Sequence, residues 1–132
     1  MGAFSDYLET ELLDHTLGKT ASSWTAPNQV YVGLCTTVPT DAASGEWAGA
    51  STYKRQAVNF NAASGSSIIS STTVVTFPQA TGTSWGTITG YALFDSSSGG
   101  NMLYYANLAS AVTVNANDTV EFAGGAIVVT LD

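Results

Sequence analysis

Most of this chain is cut into short runs. From Gly18 onward, segments of about five to nine residues rich in Val, Ile, Thr, Tyr and Phe are separated by clusters of Gly, Ser, Asn and Pro. Runs that short, with turn residues recurring at near-regular spacing, suit β-strands joined by turns and leave no room for a helical domain. The runs predicted as strands are Gln29 to Thr36, Lys54 to Ala62, Thr72 to Phe77, Thr87 to Asp95, Met102 to Leu108, Ala111 to Asn115, Thr119 to Ala123 and Ala126 to Leu131. Ala111 to Asn115 and Thr119 to Ala123 read as a hairpin about the turn Ala116 to Asp118, Asp95 to Asn101 as a second turn, and Ala63 to Ser71 as a Ser/Gly turn. Val38 to Tyr53 is longer than an ordinary connection, which marks it as functional or mobile.

The one exception comes first. Ser5 to Leu17 contains no Gly or Pro; Ser5 fits an N-cap, Asp6 and Glu9 suit the positive end of the helix dipole, and Gly18 is a natural stop. Phe4, Tyr7, Leu8 and Leu12 share one face, while Leu13 and Leu17 point elsewhere, so the helix is apolar on two sides. The expected architecture is mainly β: an N-terminal α-helix (residues 1–18) acting as an interface arm, followed by one β-sandwich or jelly-roll-like domain (residues 19–132) of about seven to eight short antiparallel strands. Jelly roll and immunoglobulin-like connections are both open at this stage.

Charge excludes several functions. Charged residues are 10% of the chain, against roughly a quarter in typical soluble domains. Ser and Thr fill the gap at 15 and 18 residues, giving a surface of short side chains that loses little entropy when buried in an interface. The net charge is −7, with only Lys19, Lys54 and Arg55 basic, too few for a phosphate-binding stripe or an anionic membrane. No apolar run reaches membrane-spanning length, and the acidic start lacks the basic region of a secretory signal, so synthesis in a cytoplasm is expected.

The sequence offers little for chemistry. Gly82-Thr83-Ser84-Trp85-Gly86 matches G-x-S-x-G, but a strand follows it where a nucleophile elbow needs a helix, and the sole histidine, His15, lies far upstream. Cys35 is the only cysteine and sits in an apolar run. One Cys and one His cannot build a zinc site, and the Asp95 loop lacks the ligand spacing of a calcium loop. Asp41, Glu46, Asp95, Asp118 and Glu121 are the carboxylates a glycosidase would need; Glu46 beside Trp47 is the best placed for a sugar. No cofactor and no catalytic residue is expected.

The ordered segments FSDYLETELLDH, VYVGLCTTVPTD, STYKRQAVNF, TFPQATGTSWGTITGYALFD, SSSGGNMLYYANL and TVNANDTVEFAGGAIVVTLD resemble a family of small bacteriophage virion proteins, loosely labelled tail-fibre or structural proteins. Gly49 to Arg55 is a close variant of that family's Gly-rich stretch before an aromatic and Arg. The resemblance implies a structural protein of the particle and carries over no functional residue. The expected function is capsid decoration: a cement protein on the outer capsid surface, bridging the major capsid protein or other virion proteins, as a homo-oligomer. A tail, neck or baseplate/fibre component is the alternative, and a carbohydrate-binding module, with Trp24, Trp47 or Trp85 on one open face, is the rival of another class. Tyr7, Leu13, Leu17, Trp47 and Tyr53 are the expected contact residues.

Overall fold

The computed structural model describes residues 3–18, 24–49, 52–65, 67–69 and 73–130. Lys19 to Ser23 of the expected loop, Ser51, parts of the Ser/Gly tract and Leu131 of the last expected strand lie outside the described residues.

A two-residue strand, β1 (Ala3–Phe4), precedes the helix α1 (Asp6–Leu17). Among the described residues eight strands follow: β2 (Val30–Cys35), β3 (Gln56–Val58), β4 (Ser67–Ile69), β5 (Val75–Thr76), β6 (Gly86–Phe94), β7 (Met102–Val114), β8 (Glu121–Phe122) and β9 (Val128–Thr130). Five form an antiparallel sheet in the order β1-β7-β6-β2-β3; β4 pairs with β9, and β5 with β8, also antiparallel. The chain is mainly β behind one N-terminal helix, as its sequence predicts.

Alternation along the strands sorts side chains onto two faces. Val32 and Leu34 of β2 and Leu93 of β6 join Val75, Phe77, Trp85, Ile127 and Val129 in one core that binds the large sheet to the two small strand pairs. Cys35, Ala92 and Phe94 form a smaller cluster, with Met102 and Tyr105 packed against it. Gly90 lets β6 approach β7: a Cβ there would lie 2.6 Å from the Ala106 carbonyl oxygen.

Three expectations change. The hairpin predicted from Ala111 to Ala123 keeps its turn, with Asn117 at φ +74° and Asp118 donating its N–H to the Asn115 carbonyl at 3.1 Å. Its arms part, however. Val112 and Val114 pair with Ile88 and Gly86, and Glu121 and Phe122 pair with Thr76 and Val75. The first arm extends the five-stranded sheet as the end of β7, and the second closes a separate two-stranded pair with β5. Second, Met102 to Val114 is one strand, not two. Between Ile88 and Gly90 of β6 its partners run from Val112 to Asn107, so Leu108 to Ala111 form a bulge in β7. Third, the Ser/Gly tract contains β4, whose Ser67, Ile68 and Ile69 pair with Thr130, Val129 and Val128.

Candidate interaction surfaces

The helix is built as its sequence dictates. Ser5 is extended at φ −78°, ψ 157°, and its Oγ accepts the Leu8 N–H at 3.3 Å while donating to the Met102 carbonyl. The Ser5 N–H adds a bond to the Leu103 carbonyl at 2.9 Å, so the cap also ties α1 to β7. Gly18 takes the left-handed conformation at φ +61° and returns its N–H to Asp14. Leu8 is buried against the body, Tyr7 and Leu12 are half-buried, and Leu13 and Leu17 stand 59% and 69% exposed. Phe4, Glu9, Leu12 and Leu13 line an apolar notch of about 270 Å³ on that outer side.

This region is strongly acidic. Asp6, Glu9, Glu11 and Asp14 lie on α1, and the Asp6 N–H donates to the Asp41 carbonyl at 3.1 Å, adding a fifth carboxylate. The Tyr105 hydroxyl donates to Asp41 Oδ1. That bond, then burial, then the charges of Asp41, Glu9 and Asp6 hold its phenol above the ordinary range. Partial burial, then Glu11 and Asp95, does the same for Tyr7.

The described part of the long loop, residues 38–49 and 52–53, is fastened to the sheet. Glu46 bridges Cys35, and the Trp47 N–H donates to the Leu34 carbonyl at 2.9 Å, laying the loop back along β2. Arg55 Nε and Nη2 donate to Glu46 Oε1 and Oε2 at 2.9 and 2.7 Å, and Nη1 donates to the Ser96 and Gly99 carbonyls. The guanidinium carbon lies 3.4 Å from the centre of the Phe94 ring. Tyr53 Oη accepts the Leu34 N–H at 2.8 Å and donates to Glu46 Oε1 at 2.9 Å. Trp47 and Tyr53 are half-buried, with ring centres 5.4 Å from Trp85, itself 1% exposed. Much of the surface of Trp47 and Tyr53 is spent inside the chain; what remains lines a groove of about 450 Å³ with Lys54 and Ser97 to Gly99.

The structure thus separates the sequence-derived contact residues. Tyr7, Leu13 and Leu17 lie on α1, whereas Trp47 and Tyr53 lie at the loop. Trp24, Trp47 and Trp85 do not share an open face, because Trp85 is enclosed and Trp47 packs on it. Sequence reasoning passed over the Arg55–Glu46 pair; nine residues apart in an irregular segment, it has no periodicity to reveal it. A further groove of about 460 Å³, lined by Leu8, Leu12, Trp24, Pro27, Phe60 and Tyr104, runs beside the helix and was equally invisible.

The chemical candidates have structural uses. Ser84 Oγ donates to the Val114 carbonyl at 2.7 Å and accepts the Gly86 N–H at 3.1 Å, fastening a turn that leads into β6. His15 rests edge-on to Trp24, ring centres 6.4 Å apart. Asp95 accepts from the N–H and the side-chain amide of Asn101, closing its turn, and Asp118 Oδ2 accepts the Asn115 N–H. Cys35 is buried, and burial pushes its thiol up to about 12. Among the described residues no three His, Cys, Asp or Glu side chains are grouped to hold a metal ion, and no helix is long and apolar enough to cross a membrane.

A Ser/Thr-rich β module with an acidic, apolar-tipped helix and its polar groups committed to caps and turns has the make-up of an assembly part, and this one is a structural protein of a bacteriophage virion. The chain belongs to the family described as Podophage GP4 fiber I protein gp80, which matches residues 3–130, from β1 through β9. No curated protein matches it.

Proposed function

We propose that this chain is a subunit of a fibre-like appendage of the phage particle, working by contact with neighbouring virion proteins and with copies of itself. The observation that carries this reading is the family match over residues 3–130, which takes in the helix and every strand and so concerns the whole module. The surface supports it. Short hydroxyl side chains and exposed Leu13, Leu17, Val74 and Val112 suit burial in an interface, and the polar side chains of the catalytic candidates hold the fold together. The capsid-decoration reading rests on acidity, on size and β content, and on the two-sided helix and long loops, and the family's description favours the appendage.

Copy number tests the proposal. Gel densitometry of purified particles should give a small fraction of the major capsid protein, with antibody label at the tail or neck. Label spread over the capsid, at a copy number near that of the shell subunits, would return the protein to decoration.

A further inference from the structure

We infer that the outer face of α1 docks, through Leu13 and Leu17, onto a cationic, partly apolar surface of a different virion protein and not onto a second copy of this chain. The inference rests on the virion role proposed above and adds the chemistry of the partner.

Residues four apart on a helix are neighbours, so Glu9, Leu13 and Leu17 form one stripe; Asp6, seven residues before Leu13, lies close to it, and Asp14 is one turn from Leu17. Leu8, on the other side, seals the helix to its own domain, so the outward leucines are not needed by the core. Two large apolar side chains held beside an apolar notch and rimmed by carboxylates have the layout of an interface centre with a charged border.

Charge decides the occupant. Four of the chain's ten carboxylate side chains (Asp6, Glu9, Asp14 and Asp41) gather here. Two copies meeting face to face would set these groups against each other, and juxtaposed like charges are a main way interfaces reject a partner. This chain has almost nothing to offset them. Arg55 is committed to Glu46, Lys54 lines the groove beside Trp47, and Lys19 lies outside the described residues. For contacts between copies the run from Asn107 to Asn117, which carries no charge, avoids this repulsion. A surface bearing Lys and Arg around an apolar hollow satisfies both the leucines and their rim.

Particles assembled by a phage lacking this chain provide the probe. Purified full-length chain is added back and the bound fraction measured by sedimentation. Wild type should bind. Leu13→Gln with Leu17→Gln should lower affinity roughly tenfold or more while leaving the melting temperature and far-ultraviolet dichroism unchanged, since truncated interface anchors cost binding rather than folding. Raising NaCl from about 50 to about 500 mM should weaken wild type severalfold or more, and Glu9→Gln with Asp14→Asn should flatten that salt response. Leucine variants that bind like wild type, binding indifferent to salt, or leucine variants that alter self-association of the free chain would each overturn the inference while leaving the virion role intact. Failure of the wild type to bind any such particle would sink the proposed appendage role itself.

Discussion

Arg55 and Glu46 meet as a two-pronged ion pair, 2.7 Å from Nη2 to Oε2 and 2.9 Å from Nε to Oε1, with side chains only 9% and 16% exposed. Through it four segments are fastened at one point: the long loop by Glu46, the β3 approach by Arg55, the turn after β6 by the Ser96 and Gly99 carbonyls, and β2 by Tyr53, which bonds both Glu46 and the Leu34 N–H. The carboxylate also lies against β2, since a Cβ at Gly33 would come within 2.6 Å of Glu46 Oε1.

Removing one partner should therefore cost far more than a surface ion pair does. Arg55→Ala leaves Glu46 largely buried without its cation and strips two carbonyls of their donor, a loss of about 3–5 kcal/mol. In a domain of this size that corresponds to a melting temperature lower by roughly 10–20 °C. Replacing both partners, as Arg55→Met with Glu46→Gln, should recover part of the loss. Thermal unfolding followed by circular dichroism checks it; a fall of only about 2 °C for Arg55→Ala would show the pair to be incidental.

Gly90 should tolerate no side chain. Its added Cβ would meet the Ala106 carbonyl oxygen at 2.6 Å and Pro39 Cδ at 3.0 Å, and the first of these is backbone of the paired strand, which cannot swing aside. Gly90→Ala should destabilise by about 1–3 kcal/mol in urea titration, the usual cost of overpacking. A midpoint equal to wild type would mean that β6 and β7 are less closely joined than the structure has them.

Stability should be lost in alkali. Burial raises the Cys35 thiol from 9.0 to about 12; burial first and the Glu46 charge second raise the Tyr53 phenol above 10.0. Both groups are neutral in the folded chain and release protons more easily once unfolded. Their contribution is thus complete below about pH 9 and declines as pH rises toward 12. Urea midpoints between pH 7 and pH 12 should be level at first and then fall. For the same reason Cys35 of the folded chain should not react with a thiol reagent at pH 8, and should react at once after denaturation. Rapid labelling of the folded protein contradicts its buried placement.

Ser84 should behave as a turn residue. Ser84→Ala removes a bond to the Val114 carbonyl and one from the Gly86 N–H, and should cost about 1 kcal/mol of stability. Hydrolysis of a p-nitrophenyl ester, measured on both proteins, should not differ; activity in wild type that vanishes in the variant would restore the nucleophile reading.

What the sequence made legible was whatever rests on local chemistry. The helix could be placed because Ser5, Asp6, Glu9 and Gly18 act within a few residues of themselves, and the structure caps it with Ser5 and Gly18. The turns at Asp95 and Asp118 could be placed for the same reason. Pairing was not local. Ile68 and Ile69 sit in a Ser/Gly tract that reads as a turn until Val128 and Val129 supply partners, and nothing near Phe122 announces that it joins Val75 rather than the strand before it. At the candidate surfaces, two outward leucines could be read from helical spacing. Trp47 and Tyr53 could be singled out as aromatic, but their packing on Trp85 depends on a fold that brings together residues far apart in the chain.

The central claim, that this is a building part of a phage appendage, is tested most directly by locating the chain in an intact particle. A cryo-electron-microscopy map of purified virions should show density for this β module in an appendage at the tail or neck, with α1 against a different protein. Particles that lack the chain, or that carry it only as a coat over the capsid, would contradict the account.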